Sequence, residues 1–287
     1  MGVPFRIATK EERAWYERTL YPLQDRVLAI AGEYEELALA GGTALARAYL
    51  HHRYSEDLDL FTQADRVDTY AAAVLGRLER AGLGIEVQRR GTTHVRAAVV
   101  DGATRLQVDF ANDFRLVLPA YQSAALKARV YSLRDLASNK ISAFEDRAEA
   151  KDVVDLYFVC EHLGWSQIFE DAETKRVPPA YDALQNILAQ PITGSALLVR
   201  EVNESEYERF LEGVRTALTA EVKKKASAAR RRIRAIVRDV LWDTPAESRT
   251  INARTLPILR RRLSQLALPE RIALGERLAS FEAHFAS

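Results

Sequence analysis

The chain has 287 residues, enough for one large domain or two small ones, and its 48% apolar and 28% charged residues are the balance of an ordinary soluble globule. Lys and Arg number 41 against 40 Asp and Glu, a net charge of +1, which excludes an overall basic surface; contact with a polyanion would need local clustering. The single cysteine, Cys160, excludes an intrachain disulfide and a cysteine-rich zinc site, and no apolar run approaches the roughly 18 residues of a membrane span.

The N-terminus lacks the apolar stretch of a secretion signal, which points to the cytoplasm. From Glu11 to Glu36, Trp15, Leu20, Leu23, Val27, Leu28, Ile30 and Ala31 recur at helical spacing, with Pro22 marking a break or a helix start. Leu37 to Ala40 reads as a buried strand that runs through Gly41-Gly42 into a helix over Thr43–His52. Leu58 to Phe61 is a second short strand, and Tyr70, Val74, Leu75 and Leu78 mark an amphipathic helix ending near Gly82. Three β-like runs follow, Ile85–Arg89, His94–Val100 and Arg105–Phe110, and the Asp101-Gly102 hairpin signal makes them an antiparallel meander. Ser132-x-x-Asp135 and Asp146-x-x-Glu149 resemble capping boxes, predicting helices over 133–145 and 147–163, the second closed by Gly164. Beyond Trp165 only helices are expected, over 178–190, 204–222, 226–242, 255–267 and 270–284. The expected organisation is a mixed α/β domain over 1–165 and an all-helical domain over 166–287.

The chemistry concentrates in two places. Gly41-Gly42-Thr43, between strand and helix, offers free backbone N–H groups at the positive end of a helix, a turn suited to phosphate. Asp57 and Asp59 alternate with Leu58 and Leu60, so both carboxylates project from one face of a strand. Two such charges repel unless a cation neutralises them, and Mg²⁺ (or Mn²⁺) held by carboxylate and phosphate oxygens suits the set. The plainer alternative is a solvent-facing pair on an edge strand, which the glycine turn upstream disfavours.

These residues resemble the signature of the DNA polymerase β nucleotidyltransferase superfamily. Within it, Gly41-Gly42-Thr43-Ala44-Leu45-Ala46 followed by Arg53-x-Ser55-x-Asp57-Leu58-Asp59-Leu60-Phe61 is similar to the AbiEii/AbiGii toxins of type IV toxin–antitoxin systems, as are Lys140 and Arg147-x-x-x-Lys151-Asp152-x-x-Asp155-Leu156. The resemblance spans roughly residues 35–160 at motif level. It implies an α+β fold: a polymerase β-like core with a mixed sheet, followed by the all-helical C-terminal domain. It further implies a metal-dependent enzyme that moves a nucleotide from a nucleoside triphosphate to RNA, the tRNA 3′ end being the expected acceptor, and a cognate antitoxin. Asp152 is the catalytic aspartate that the resemblance implies, and Ser55 its nucleotide-contacting serine, the alternative for Ser55 being a turn residue. Arg53 either touches phosphate or solvates a helix end. Asp109, opposite the core-facing Val108 and Phe110, is the candidate third carboxylate or an exposed strand aspartate, with Asp113 a weaker choice.

Lys140, on a half-apolar helix, can reach a triphosphate as a point charge. Lys151 and Asp155, four residues apart, read as a surface ion pair worth about 0.3–0.5 kcal/mol. His51-His52 end a helix, where positive charge is welcome, and Cys160 reads as a buried, inert thiol. Between residues 223 and 238, Lys223, Lys224, Lys225, Arg230, Arg231, Arg232, Arg234 and Arg238 face no acidic residue. With Ile233, Ile236, Val237, Val240 and Leu241 at helical spacing, this predicts a basic stripe opposite a packed face, either merely solvated or a dock for an RNA backbone. Two rival functions remain at this stage: transfer to a small molecule or a protein hydroxyl, and a non-catalytic module that binds RNA or a partner.

Overall fold

The structure, a computed structural model, describes residues 5–113, 115–146, 149–175, 184–186, 189, 192–242 and 261. After a short strand β1 (Phe5–Ile7), the expected N-terminal helix forms with a change of pitch: α1 (Lys10–Trp15), a π-helical turn Tyr16–Leu20, then α2 (Tyr21–Ala31). Thr9 starts it with a reciprocal capping box that the sequence reading misses, its Oγ1 accepting from the Glu12 N–H while the Glu12 carboxylate accepts from the Thr9 N–H. Pro22 lies in the first positions of α2, where its missing N–H costs nothing.

β2 (Ala38–Ala40) passes directly into α3 (Gly41–Ala44), which loosens into a π-helical segment, Leu45–Leu50, and stops at His51 in the left-handed conformation. β3 (Leu58–Thr62), α4 (Val67–Arg80) and the meander β4 (Gly84–Arg90), β5 (His94–Asp101) and β6 (Thr104–Asn112) follow within a residue or two of their predicted bounds. Strands β7 (Tyr121–Ser123) and β8 (Ala128–Val130) are new; at three residues each, alternation is too short to register in the sequence. The seven strands form one mixed sheet in the order β4-β5-β6-β3-β2-β8-β7, parallel at β3/β6 and β2/β8 and antiparallel elsewhere.

The register Leu58↔Val108, Asp59↔Asp109, Leu60↔Phe110 places the apolar residues of β3 and β6 on one face and their aspartates on the other. Leu58, Leu60, Val108 and Phe110 are fully buried, each burial contributing about 1.5–3 kcal/mol, and α4 packs over β4, β5 and β6 with Ala71, Val74 and Leu78 buried. The aspartate face is left open to the helices that come next.

Those are α5 (Leu133–Asp146), α6 (Ala150–Val159) and α7 (Trp165–Thr174). Ser132 does cap α5, its Oγ accepting from the Asp135 N–H at 3.1 Å, but the Asp135 carboxylate binds the Val117 and Leu118 N–H groups rather than closing a capping box. The second helix starts three residues later than predicted, at Ala150. Asp146 ends α5, Glu149 precedes α6 without a side-chain cap, and Gly164 stands before α7 rather than closing α6 at 163.

By internal contacts the chain divides into two compact units, residues 1–177 with 191–208, and residues 178–190 with 209–287. Residues 166–177 and 191–208, assigned to the helical domain from the sequence, thus belong to the first unit. They include a strand, β9 (Ala196–Leu198), which pairs in parallel with β1. In place of the helices expected at 204–222 and 226–242 there is one, α8 (Glu204–Trp242), because Lys223-Lys224-Lys225 are good helix formers and no Gly or Pro interrupts them. Leu184–Asn186 and Ala189 are helical within the expected 178–190; the helices expected at 255–267 and 270–284 lie, Arg261 apart, outside the described residues. No described helix is long and apolar enough to cross a membrane.

Candidate active site

β3 is the axis of the site. On one side, β2 ends where Gly41, φ +62°, turns the chain into α3, and Ala40 pairs with Asp59. A Cβ on Gly41 would lie 1.7 Å from the Asp59 Oδ2, so both the backbone conformation and the close approach of the carboxylate require glycine here. We expect Gly41→Ala to lose about 1–2 kcal/mol from the left-handed backbone alone, and to displace Asp59, which a parallel melting and nucleotide-binding measurement reads directly. At Gly42 a Cβ would meet the Arg53 Nη2 at 2.2 Å, so this glycine keeps the turn open to the guanidinium. Thr43 turns inward, fully buried, and its hydroxyl donates to the Asp57 carbonyl oxygen; it positions the first aspartate and leaves only its backbone for a phosphate.

On the other side of β3, β6 sets Asp109 beside Asp59 and β5 sets Arg96 beside Asp109. Asp109 accepts from the Arg96 Nε and the Gln107 Nε2 at 2.8 and 3.0 Å, and the His94 Nε2 lies 2.8 Å away. Burial pulls its pKa up, but these partners outweigh that and hold it below the ordinary value. Asp57, half-buried, is shifted the opposite way: burial raises its pKa, with Glu56 and Asp109 adding to the rise and Lys151 and Arg96 opposing it. Asp57 and Asp59 thus share one face and one cleft of about 550 Å³ with Gly41, Gly42, Ser55 and Lys140. The donor set, two carboxylates on adjacent same-face positions with room for phosphate oxygens, fits a hard divalent ion. Among the described residues no three acidic, histidine or cysteine side chains are grouped closely enough to hold a metal by themselves.

Behind the cleft lies a buried ionic cluster that the sequence did not reveal. The Lys140 Nζ lies 2.8 Å from both the Asp152 Oδ1 and the Asp155 Oδ2, and Arg53 grips Asp155 with Nε at 2.6 Å and Nη2 at 2.8 Å. The His52 Nε2 is 2.7 Å from the same carboxylate. All five side chains are buried, Asp152 and Asp155 completely. Burial would raise the Asp155 pKa, but Arg53, Lys140 and His52 hold it well below the usual carboxylate range; burial lowers that of His52, leaving it a neutral imidazole. Burial also opposes charge on Lys140, yet its two carboxylates win and its pKa is raised.

Three expectations change. Asp155 does not pair with Lys151: it points inward, and Lys151 instead pairs with Glu149 at 3.0 Å and lines the cleft facing Asp57. Asp152 is completely buried behind Lys140 and is not among the residues that line the cleft. His52 is a member of the cluster and not a charged helix end. Arg53 and Ser55 do line the cleft, Arg53 from within the cluster and Ser55 almost buried; Asp113 lines it too, bound to Lys175 at 2.8 Å. Arg96, Gln107 and Lys175 went unnoticed in the sequence because each stands outside any motif and reaches the cleft only through strand register or helix packing, whereas Lys151 was read as a surface ion pair and instead lines the cleft. Cys160, at the end of α6, has its thiol pushed up to about 12 by burial, as expected of an unreactive cysteine.

In the second unit, Lys224 and Lys225 approach Glu221 at 3.3 and 3.9 Å, and Lys223 and Arg231 are exposed. The side chains of Arg230, Arg232, Arg234 and Arg238 lie outside the described residues.

Among solved structures the chain is similar to JHP933 from Helicobacter pylori (18% identity, TM-score 0.49, covering 78% of this chain and 97% of that one). It is also similar to an H. pylori protein described as a candidate nucleotidyltransferase (19%, 0.48, covering 74% and 97%) and to the antibiotic-resistance factor ANT(2'')-Ia (17%, 0.40, covering 56% and 92%). No curated protein sequence matches it. The family model of the nucleotidyl transferase AbiEii toxin matches residues 23–248, most of the chain. On that match the chain belongs to the AbiEii family of nucleotidyltransferases, the toxins of type IV toxin–antitoxin systems.

Proposed function

We propose that this nucleotidyltransferase transfers a nucleotide from a nucleoside triphosphate to RNA, the tRNA 3′ end being the expected acceptor, in a metal-dependent reaction restrained in the cell by a cognate antitoxin. The observation that carries the reading is one cleft lined by Asp57, Asp59, the Gly41-Gly42 turn and Lys140. Asp57 and Asp59 would hold Mg²⁺ or Mn²⁺, which supplies charge neutralisation at the phosphates. Gly42, Ser55 and the backbone of Thr43 receive the triphosphate, beside Lys140 and Lys151. The acceptor hydroxyl, giving up its proton to Asp109 or to water, attacks the α-phosphorus, the bond to the bridging oxygen breaks and pyrophosphate leaves toward the glycine turn. Charge stabilisation supplies most of the rate in such transfers.

Lys140 serves as a positioned cation rather than a free one. Arg53 and Lys140 balance Asp152 and Asp155, so the buried cluster is close to neutral, and Lys151 is the more exposed charge for the leaving group. Asp152 acts as a positioning residue for Lys140. Asp109, with its pKa held low, is a weak proton acceptor on the acceptor flank; its stronger service is to fix Arg96 and His94. The basic residues Lys223, Lys224, Lys225, Arg230, Arg231, Arg234 and Arg238 supply phosphate contacts for RNA. Their Arg content suits that task, and binding should weaken steeply with salt.

The test is incubation with each labelled triphosphate, total tRNA and Mg²⁺, against a small-molecule acceptor panel. Label on RNA is the expected result; label only on a small acceptor would overturn it. The Asp57 shift adds a pH signature. A carboxylate with a raised pKa protonates earlier on acidification, so in the metal-free protein the Asp57 carboxyl should titrate above the ordinary aspartate value when followed by NMR. The titration should move to higher pH in Lys151→Met, which removes the opposing charge.

A further inference from the structure

Two smaller cavities also touch Asp57, and Glu56 lines both. One, about 190 Å³, is bounded by Arg53, Ser55 and Lys151, the groups of the phosphate side. The other, about 160 Å³, is bounded by Trp15, Gln88, Arg105 and Gln107. In the sheet, β3, which follows directly on Asp57 and carries Asp59, runs between β2, which delivers the glycine turn of the main cleft, and β6, which carries Gln107 of the second cavity. In-line displacement needs the attacking hydroxyl opposite the leaving pyrophosphate. If the phosphates lie toward β2, the acceptor must come from the β6 side, where this second cavity opens.

Its wall is an exposed tryptophan. Trp15 ends α1 and is 43% exposed, an uncommon position for so large an apolar side chain next to a charged site. Its base is rigid: Tyr16 meets it edge-on at 4.9 Å, stacks on Tyr54 at 4.4 Å and donates from its hydroxyl to Glu56 at 2.6 Å. The π-helical turn Tyr16–Leu20 packs against β6 and so sets Trp15 at the cavity's rim. An aromatic face, the side-chain amides of Gln88 and Gln107 (the latter donating to Asp109 at 3.0 Å) and the Arg105 guanidinium, which also pairs with Glu86 at 2.6 Å, are groups of the kind that recognise an unpaired nucleotide: the ring stacks the base, amides meet its edge, and the cation meets a phosphate. The cavity is too small for a second triphosphate and suits a single planar base.

We infer that the Trp15 cavity is the acceptor subsite, in which the terminal base of a single-stranded RNA 3′ end stacks on the indole while its ribose hydroxyl is presented beside Asp57. This rests on the nucleotidyl transfer to RNA proposed above. It assigns specificity for an unpaired 3′ end to the N-terminal helix rather than to the glycine turn and aspartates of the cleft.

The test measures transfer to a short single-stranded RNA with a free 3′ hydroxyl, using full-length protein with Trp15→Ala and Trp15→Phe, each checked for unchanged melting. Trp15→Ala should raise the acceptor KM about tenfold or more, with a smaller effect on kcat and the triphosphate KM within twofold, and Trp15→Phe should recover most of the loss. In parallel, the same RNA should quench tryptophan fluorescence in the wild type far more than in Trp15→Phe. An acceptor KM unmoved in Trp15→Ala, or equal losses in both variants, would overturn the subsite while leaving the enzymatic reading standing. Wild-type protein that labels no RNA would defeat both. Lost antitoxin protection with an unmoved acceptor KM would reassign Trp15 to a protein contact and so also overturn it.

Discussion

Replacing Asp155 by Ala should destabilise the first unit by about 3–5 kcal/mol at neutral pH, the usual result of removing one partner from a buried ionic cluster. The carboxylate is completely enclosed, it answers Arg53 through two hydrogen bonds, and it shares Lys140 with Asp152. Its removal leaves two cations facing one carboxylate, with no water to solvate them. The pH dependence has a definite sign. The folded pKa is well below the unfolded one, so the stabilisation is present above the ordinary carboxylate pKa and is lost as pH falls through that value toward the folded one. Urea unfolding from pH 7 down to pH 3 should therefore show the gap between wild type and Asp155→Ala closing on acidification. A loss under about 1 kcal/mol at pH 7, or a gap that widens in acid, would contradict the cluster. Adding Arg53→Met to Asp155→Leu should recover part of the stability, because well-packed apolar replacements of a whole buried pair are often tolerated.

The second large effect is on activity without stability. Asp57→Ala should abolish nucleotidyl transfer by about 10³-fold or more, since charge neutralisation at the phosphates accounts for several kcal/mol of transition-state stabilisation. Yet it should leave melting unchanged or slightly raised. Folding lifts the Asp57 pKa, so the ionised form is disfavoured in the native state, and its contribution to stability declines as pH rises through the folded pKa. At neutral pH the charge is therefore a cost that the fold bears. Removing it gives a variant that is inert but intact, the pattern expected where function and stability are traded. A fall in melting temperature as large as that of Asp155→Ala would show Asp57 to be structural. Retained transfer would remove it from the chemistry.

These two aspartates show how far the chain could be read in one dimension. Asp57 and Asp59 alternate with Leu58 and Leu60 beside a glycine turn, a local pattern of period two, and local periodicity survives in the bare sequence. The same holds for the β4–β6 meander with its Asp101-Gly102 turn and for the amphipathic α4. Each depends on neighbours a few residues away. The three-residue strands β1, β7, β8 and β9 exist only because a distant partner supplies their hydrogen bonds, so no window of sequence contained them.

Asp155 and Lys151 mark the other limit. Their spacing on a helix permits an ion pair worth about a few tenths of a kcal/mol, too little to compete once tertiary packing brings Arg53, Lys140 and His52 to the carboxylate from 102, 15 and 103 positions away. Spacing could say that Asp155 and Lys151 were able to meet. It could not say that the aspartate would be buried, because burial is decided by which helices pack against α3 and the π-helical segment after it. Composition, strand alternation, the glycine turn and the motif order therefore belonged to the sequence by itself and were sufficient for family and cleft. Which charges neutralise one another, which carboxylate is enclosed and which is raised in pKa, and the place of Trp15 beside Asp57, were settled only by tertiary structure, since each depends on distances and desolvation between segments far apart in the chain.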